Sequence, residues 1–281
     1  MSQTIWEQTS RTTSNSQRHT ELISISKTYL LTRYLTVTFS YTQGILLAIL
    51  HFSIKLKISI GGWGDSSVHI FDLILSSTLP HRYRIVIGGN HDKIISHTRT
   101  PEETRKRYLS NCTHYLQDTS VDVEGLKVYG APWHAYRPFW YLSNNFGKVE
   151  TITPSALEPK EKVGNEDIES KWNAIPSDTD ILITHVPPIG VRDKNHKNKP
   201  IGSRHLLATD LLRVKPRVHV FGHNHDGFGS SHFKSEDNDK LLHSIQKFYQ
   251  LEEEEKKAFE IYFINAAQPA VMKPIVFDYY Y

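Results

Sequence analysis

Polar side chains that can bind a metal ion or a phosphate follow three short apolar segments of this sequence. They are Asn90 and His91 after the first segment, His185 after the second, and His223 and His225 after the third. Imidazole nitrogens and an amide oxygen suit zinc, iron or manganese better than calcium, which takes oxygen ligands alone. The three segment ends therefore indicate a histidine-rich metal site.

A paired metal site of this kind has a defined chemistry. Two ions about 3.5–4 Å apart can activate a water molecule and clamp the oxygens of a phosphoryl group during an in-line displacement. A further histidine outside the coordination sphere can protonate the leaving oxygen or hold the phosphate. The residue types are thus suited to metal-assisted displacement at a phosphoryl group.

The composition shows which side chains are available to bind a metal ion. The 281-residue chain contains 16 histidines and a single cysteine, Cys112. One cysteine excludes an intramolecular disulfide, a cysteine-rich zinc module and an iron–sulfur cluster, and it fits a reducing compartment, so we predict a cytoplasmic protein. The 33 Lys and Arg residues against 30 Asp and Glu residues give a net charge of +3. That charge is too small to indicate nucleic-acid or membrane binding by itself.

Short β-branched runs alternate with helical patterns after residue 61, which is typical of an α/β domain with a largely parallel sheet. A helix over 203–214 is predicted from Ser203, a suitable N-cap, and from Pro216 beyond its end. Ligands of such domains collect where parallel strands end, and a tight turn at Gly222 would bring both histidines of the third segment to one site. Strands are predicted within 84–89, 126–129, 180–185, 217–222, 260–264 and 274–277.

The motifs at the segment ends resemble those of a known family. Gly-Asn-His-Asp at 89–92, Ile-Thr-His-Val-Pro-Pro at 183–188 and Gly-His-Asn-His at 222–225 are similar to the third, fourth and fifth motifs of the calcineurin-like metallophosphoesterases. Val-Tyr-Gly-Ala-Pro-Trp at 128–133 and Phe-Ile-Asn-Ala-Ala at 263–267 resemble the metallophosphoesterase-domain-containing class, fungal members included. The resemblance extends from about residue 61 to residue 278.

This resemblance implies an α/β fold, a four-layer α/β/β/α sandwich, for a phosphoesterase domain at 61–281. Residues 1–60 differ in composition, with a polar arm at 1–27, and we predict that they lack a regular first strand region. The uncharged stretch at 35–54 is just long enough to span a bilayer. A membrane-tethered form is therefore the alternative to a cytoplasmic one.

The resemblance also implies which residues hold metal. Asn90, His185 and His223 would bind one divalent ion through the amide oxygen and two imidazoles, and His225 would bind a second ion. The ions expected for the family are manganese, iron or zinc, and two are expected in each chain.

Two further residues of the third motif would take part in catalysis. His91 would be the general acid or would orient the phosphate, and Asp92 would fix its imidazole through a hydrogen bond. The substrate implied is a small phosphoester such as a cyclic or short nucleotide. The aromatic residues around His134 would either stack on a nucleobase or form a hydrophobic loop packed on the sheet. Arg192, in the loop after His185, would either meet phosphate or be solvated.

The first two motifs of the family are not found at their expected places in residues 1–89, where the one formal match is the Gly-Asp pair at 64–65. They would be an Asp-x-His and a Gly-Asp whose aspartate bridges both ions, yet the first aspartate in the chain is Asp65. Asp65 is either a metal ligand or, as we favour, the N-cap of a helix over 68–79. The bridging aspartate is expected near Lys57, whose positive charge would oppose a pair of divalent ions.

Two interpretations account for this missing half. Either the protein has lost one metal site and binds a single ion, or residues 1–60 come from a wrong start or a translated non-coding stretch. The abrupt change of composition near residue 61 favours the second interpretation. The first predicts an impaired or inactive phosphoesterase, which is the alternative to an active enzyme. No feature of the sequence predicts an oligomeric state.

Overall fold

The computed structural model describes residues 36–42, 45–51, 82–90, 92, 94–95, 99–136, 146–149, 168–251 and 257–267. Asp65, His91, the helix predicted over 68–79 and the strand predicted over 274–277 lie outside these residues. The division of the chain near residue 60 stays a prediction. The described helices are α1 (Pro101–Tyr108), α2 (Ile168–Asn173), α3 (Arg204–Ala208) and α4 (Asp239–Phe248).

The described strands form two large sheets and one small one. The first sheet has the order β1-β2-β3-β4, the second has the order β11-β12-β10-β9-β6-β5, and β7 pairs with β8. The strands are β1 (Thr36–Thr42), β2 (Ile45–His51), β3 (Tyr83–Ile87), β4 (His114–Leu116), β5 (Thr119–Val123), β6 (Leu126–Ala131), β7 (His134–Tyr136), β8 (Gly147–Val149), β9 (Ile181–Thr184), β10 (Val218–Phe221), β11 (Gly229–Lys234) and β12 (Glu260–Asn265).

The two large sheets face each other across an apolar core. Ile85 of β3 and Val220 of β10 belong to the core between the sheets. Successive residues of a strand point to opposite faces. The next residue of β10, Phe221, accordingly packs with Leu207 of α3 on the outer face, and α1 contacts β4 on the far side of the first sheet. The predicted α/β/β/α sandwich is confirmed.

The N-terminal region expected to lack a regular first strand contains the hairpin of β1 and β2, which pairs antiparallel with β3. The sequence of β1, Thr-Val-Thr-Phe-Ser-Tyr-Thr, alternates polar and apolar residues with the period of two that favours a strand. Within the described part of the chain, no helix combines the length and the apolar character needed to cross a membrane.

The predicted helix over 203–214 begins where expected and changes its pitch midway. The side chain of Ser203 accepts a hydrogen bond from the Leu206 amide, as an N-cap does. The helix is α-helical over Arg204–Ala208 and π-helical over Thr209–Val214, and Lys215 ends it with a φ of 51°. The wider π turn is the part that the sequence pattern did not predict.

The strands that end at the site are parallel neighbours. β9 pairs in parallel with β6 on one side and with β10 on the other, and β10 pairs in parallel with β12. Their carboxyl ends therefore lie at one edge of the second sheet. His134 follows β6, His185 follows β9, and His223 follows β10, so this topology gathers three histidines at that edge.

The two sheets pack closely against each other at Gly130. A Cβ atom at this position would lie 2.4 Å from the Leu116 Cβ and 2.7 Å from the Ile87 Cγ2. We expect Gly130→Ala to lower the free energy of unfolding by about 1–3 kcal/mol, because overpacking forces the sheets apart. Urea denaturation would measure the change, and Ser120→Ala on the exposed face of β5 is the control. A loss below about 0.5 kcal/mol in Gly130→Ala would show that the sheets can separate at little cost.

Candidate metal centre

The structure brings Asn90 and His185 into direct contact. The Asn90 Oδ1 lies 2.9 Å from the His185 Nε2, and the backbone nitrogen of Asn90 lies 3.3 Å from the same His185 atom. Both side chains are buried. Because β3 delivers Asn90 and β9 delivers His185, this contact joins the ends of strands from opposite sheets.

The His223 ring packs against the His185 ring, and the backbone at His223 forms a tight turn with a positive φ. The ring centroids of the two histidines are 4.8 Å apart at an interplanar angle of 68°. His223 has a φ of 64°, and the Asn224 amide donates a 2.7 Å hydrogen bond to the Gly222 carbonyl, which makes His223 the centre of a γ-turn. The tight turn expected at Gly222 is therefore made by His223 itself, since only there does the backbone need the left-handed region.

Two further predicted site residues, His225 and Asp92, lie in different environments. His225 is partly exposed and begins a 3-10 turn, His225–Gly227, two residues beyond His223. Asp92 is buried and its Oδ2 accepts a 2.7 Å hydrogen bond from the Gly89 amide. Burial raises the pKa of Asp92 well above its usual value, against the lowering effect of that hydrogen bond. The partnership predicted between Asp92 and His91 stays a prediction.

His134 was not among the predicted metal or catalytic residues, although it lies beside His185 and His223. Its buried ring is centred 6.1 Å from the His185 ring and 6.0 Å from the His223 ring. The available signal was its place just after β6, which pairs in parallel with β9. Trp133, in contrast, packs edge-on against Phe146 with ring centroids 5.6 Å apart and donates from Nε1 to Asp118, so this aromatic residue belongs to the core.

The donor atoms present fit a divalent ion. Two ligand atoms at right angles on one ion, with bonds of about 2.1 Å, lie about 3 Å apart. The 2.9 Å between the Asn90 Oδ1 and the His185 Nε2 matches that spacing. Among the described residues, no three His, Cys, Asp or Glu side chains form a group that could hold an ion. An ion at this position would therefore depend on the Asn90 amide oxygen together with the imidazoles of His185 and His223.

Comparisons with known proteins show which family the chain belongs to. The family model for calcineurin-like phosphoesterases matches residues 61–227, which include all four predicted metal ligands. Metallophosphoesterase domain-containing protein 1 of Homo sapiens, like that of Mus musculus, is 35% identical over 185 residues, which are 58% of this chain and 51% of the relative. A UPF0046 protein of Caenorhabditis elegans is 36% identical over 168 residues, 54% of this chain and 53% of the relative. The match spans about half the length of these relatives. The chain belongs to the calcineurin-like phosphoesterase family.

Proposed function

We propose that the protein hydrolyses small phosphoesters, either diesters or monoesters, with the help of a divalent ion, and that residues 61–281 are the catalytic domain. The observation that supports this function best is the 2.9 Å contact of the Asn90 Oδ1 with the His185 Nε2, beside the His223 ring. An amide oxygen and two imidazoles form the ligand set expected for manganese, iron or zinc. Family membership gives the proposal its reaction class.

In this proposal Asn90, His185 and His223 would hold the ion, which would supply Lewis-acid activation of a phosphoryl group and of water. Burial of Asn90 and His185 keeps bulk water from competing for these donor atoms and strengthens their electrostatic interactions. The His134 ring is centred 6.1 Å from the His185 ring and 6.0 Å from the His223 ring, and we assign it to the wall of the phosphoryl-binding site. His225 as ligand of a second ion and His91 as proton donor complete the proposed machinery.

A second candidate is an impaired or inactive member of the family that binds one ion. It is favoured by the sequence before Asn90, where the first aspartate is Asp65 and no Asp-x-His occurs. Without a bridging carboxylate, affinity for a second ion should fall steeply, because two cations then repel each other without a shared anion.

Metal analysis and turnover assays distinguish the two candidates. The full chain would be assayed with bis-p-nitrophenyl phosphate and p-nitrophenyl phosphate, with and without added manganese. We expect manganese-dependent hydrolysis that is lost in His223→Ala and in His91→Ala. Equal rates in the wild type and these variants would contradict the enzymatic proposal. A wild type that binds one ion tightly and hydrolyses neither ester would favour the inactive candidate.

The compartment is a separate proposal. Cys112 is a buried residue outside any disulfide, and it is the single cysteine of the chain. A chain without a disulfide suits a reducing environment, which supports a cytoplasmic location. Release of the protein from cells by salt without detergent is the expected result, and a need for detergent would favour the membrane-tethered alternative.

A further inference from the structure

Two buried asparagines fix the loop that carries His223 and His225. Asn265, the last residue of β12, is fully buried and donates from Nδ2 to the Asn224 carbonyl at 2.9 Å and to the Arg192 carbonyl at 3.1 Å. Its Oδ1 accepts a 2.9 Å hydrogen bond from the Ala267 amide. The amide of Asn265 therefore uses both of its N–H groups on the loops beside the metal centre.

Asn224 makes a matching set of contacts. Its Nδ2 donates to the Arg192 carbonyl at 2.9 Å and to the Lys194 carbonyl at 3.1 Å. The Arg192 carbonyl thus accepts from both asparagines. We call Asn224 and Asn265 the amide clasp, because together they join the loop after β9, the loop after β10 and the end of β12.

The backbone is tightly packed at the clasp. A Cβ atom on Gly227 would lie 1.8 Å from the Arg192 carbonyl oxygen and 2.7 Å from the Asn224 Nδ2. Arg192 itself has a φ of 50°, and its guanidinium donates to the Ser230 carbonyl. The position of Arg192, considered above as a phosphate contact, is therefore explained by these loop contacts.

The γ-turn at His223 needs such support. A residue other than glycine with a φ near 64° is strained, and strain of this kind persists only where the surrounding structure enforces it. The backbone N–H of Asn224 closes the turn by donating to the Gly222 carbonyl. The side chain of Asn224 donates to the Arg192 carbonyl, and its own carbonyl accepts from Asn265. The restraint acts on the residue directly after His223.

We infer that Asn224 and Asn265 are positioning residues that hold His223 in its strained turn, so that its imidazole meets His185 at the ion site. This inference rests on the proposed function for the identity of the site. Position 265 requires a side chain that can donate hydrogen bonds to two carbonyl oxygens. An aspartate at position 265 has nearly the same shape, but it would direct a carboxylate oxygen at two carbonyl oxygens instead of donating to them.

The experiment measures manganese binding to the full-length protein. We expect Asn265→Asp to raise the manganese Kd on the order of 10- to 100-fold, as is typical when a residue that positions a metal ligand is lost, because the loop relaxes without the clasp. Asn224→Ala, which removes both side-chain N–H donors of that residue, is the second variant and should act in the same direction. Asn238→Asp is the matched control, since the Asn238 Nδ2 donates to one carbonyl, that of Lys234, at an exposed position beside α4.

The readout separates positioning from a loss of folding. Electron paramagnetic resonance titration gives the Kd of the folded fraction, whose size is known from the amplitude of thermal unfolding. A purely structural role would lower the folded fraction and leave its Kd unchanged, and that result would overturn the inference. So would a wild type that does not bind manganese, or a folded variant that binds it as tightly as the wild type. A wild type that binds manganese without hydrolysing any ester would refute the proposed function alone, and the Kd values would still test the clasp.

Discussion

Replacing His185 by alanine should reduce manganese-dependent hydrolysis by at least about 100-fold. His185 occupies the centre of the candidate site, with its Nε2 beside the Asn90 Oδ1 and its ring against that of His223. Loss of a residue that merely supports a metal ligand typically costs 10- to 100-fold, so loss of a ligand should cost no less. The kcat at saturating manganese and the metal content of the purified variant are the measurements.

A surface histidine provides the control for this prediction. His232 stacks on Tyr262 with ring centroids 4.2 Å apart and lies 2.9 Å from Glu260, on an exposed part of β11. We expect His232→Ala to keep the wild-type rate and metal content. If His185→Ala retained full activity while its thermal unfolding stayed cooperative, the assignment of the site to this end of β9 would be wrong.

Replacing Asp210 by alanine should lower the free energy of unfolding by about 3–5 kcal/mol, since it leaves one partner of a buried pair alone. The Asp210 Oδ2 lies 2.8 Å from the His219 Nδ1, and the His219 Nε2 lies 2.8 Å from the Thr184 Oγ1. All three residues are completely buried. This chain of contacts links the π-helical segment to the end of β9, directly before His185. Chemical denaturation of the variant and the wild type gives the difference.

Asparagine at the same position should be tolerated far better. The Thr184 hydroxyl donates to the Val186 carbonyl at 2.7 Å, so the His219 Nε2 must donate to Thr184. One proton must then lie between the His219 Nδ1 and the Asp210 Oδ2. An asparagine can supply that hydrogen from its Nδ2, which is why we expect Asp210→Asn to cost less than about 1.5 kcal/mol.

The stability of the wild type and that of Asp210→Asn should depend differently on pH. Burial raises the pKa of Asp210, although His219 opposes the shift. A carboxyl group whose pKa is higher in the folded state stabilises the fold most at pH values below its unfolded pKa of about 3.9. That contribution is lost as the pH rises through the folded pKa. The stability of the wild type relative to Asp210→Asn should therefore fall with rising pH, and a constant difference would contradict the shared proton.

The strand ends were predictable because their signals are local. An apolar run followed by glycine and polar residues indicates a buried strand and the loop that leaves it, and this pattern placed Asn90, His185 and His223 at the ends of three strands. The N-cap of α3 was predictable for the same reason, since Ser203 bonds to a residue three positions away.

The remaining features depend on contacts between distant parts of the chain. His134 approaches the site because β6 lies beside β9, a pairing that no local pattern specifies. The left-handed turn at His223 could not be predicted, since Gly222 and Asn224 on either side adopt that region more readily. Its cause is the set of hydrogen bonds from Asn265, which is 41 residues beyond Asn224.

Asn90 and His185, which are 95 residues apart in the sequence, come from strands of opposite sheets, so the fold itself brings their donor atoms together. A partly folded chain accordingly lacks the pair of donor atoms, and a cation that needs both binds the native protein alone. By mass action, manganese at 100 times its Kd should then raise the free energy of unfolding by about 2.7 kcal/mol. The ion would act as a folding ligand, and a rise in melting temperature with manganese concentration would report the closed sandwich even without a substrate.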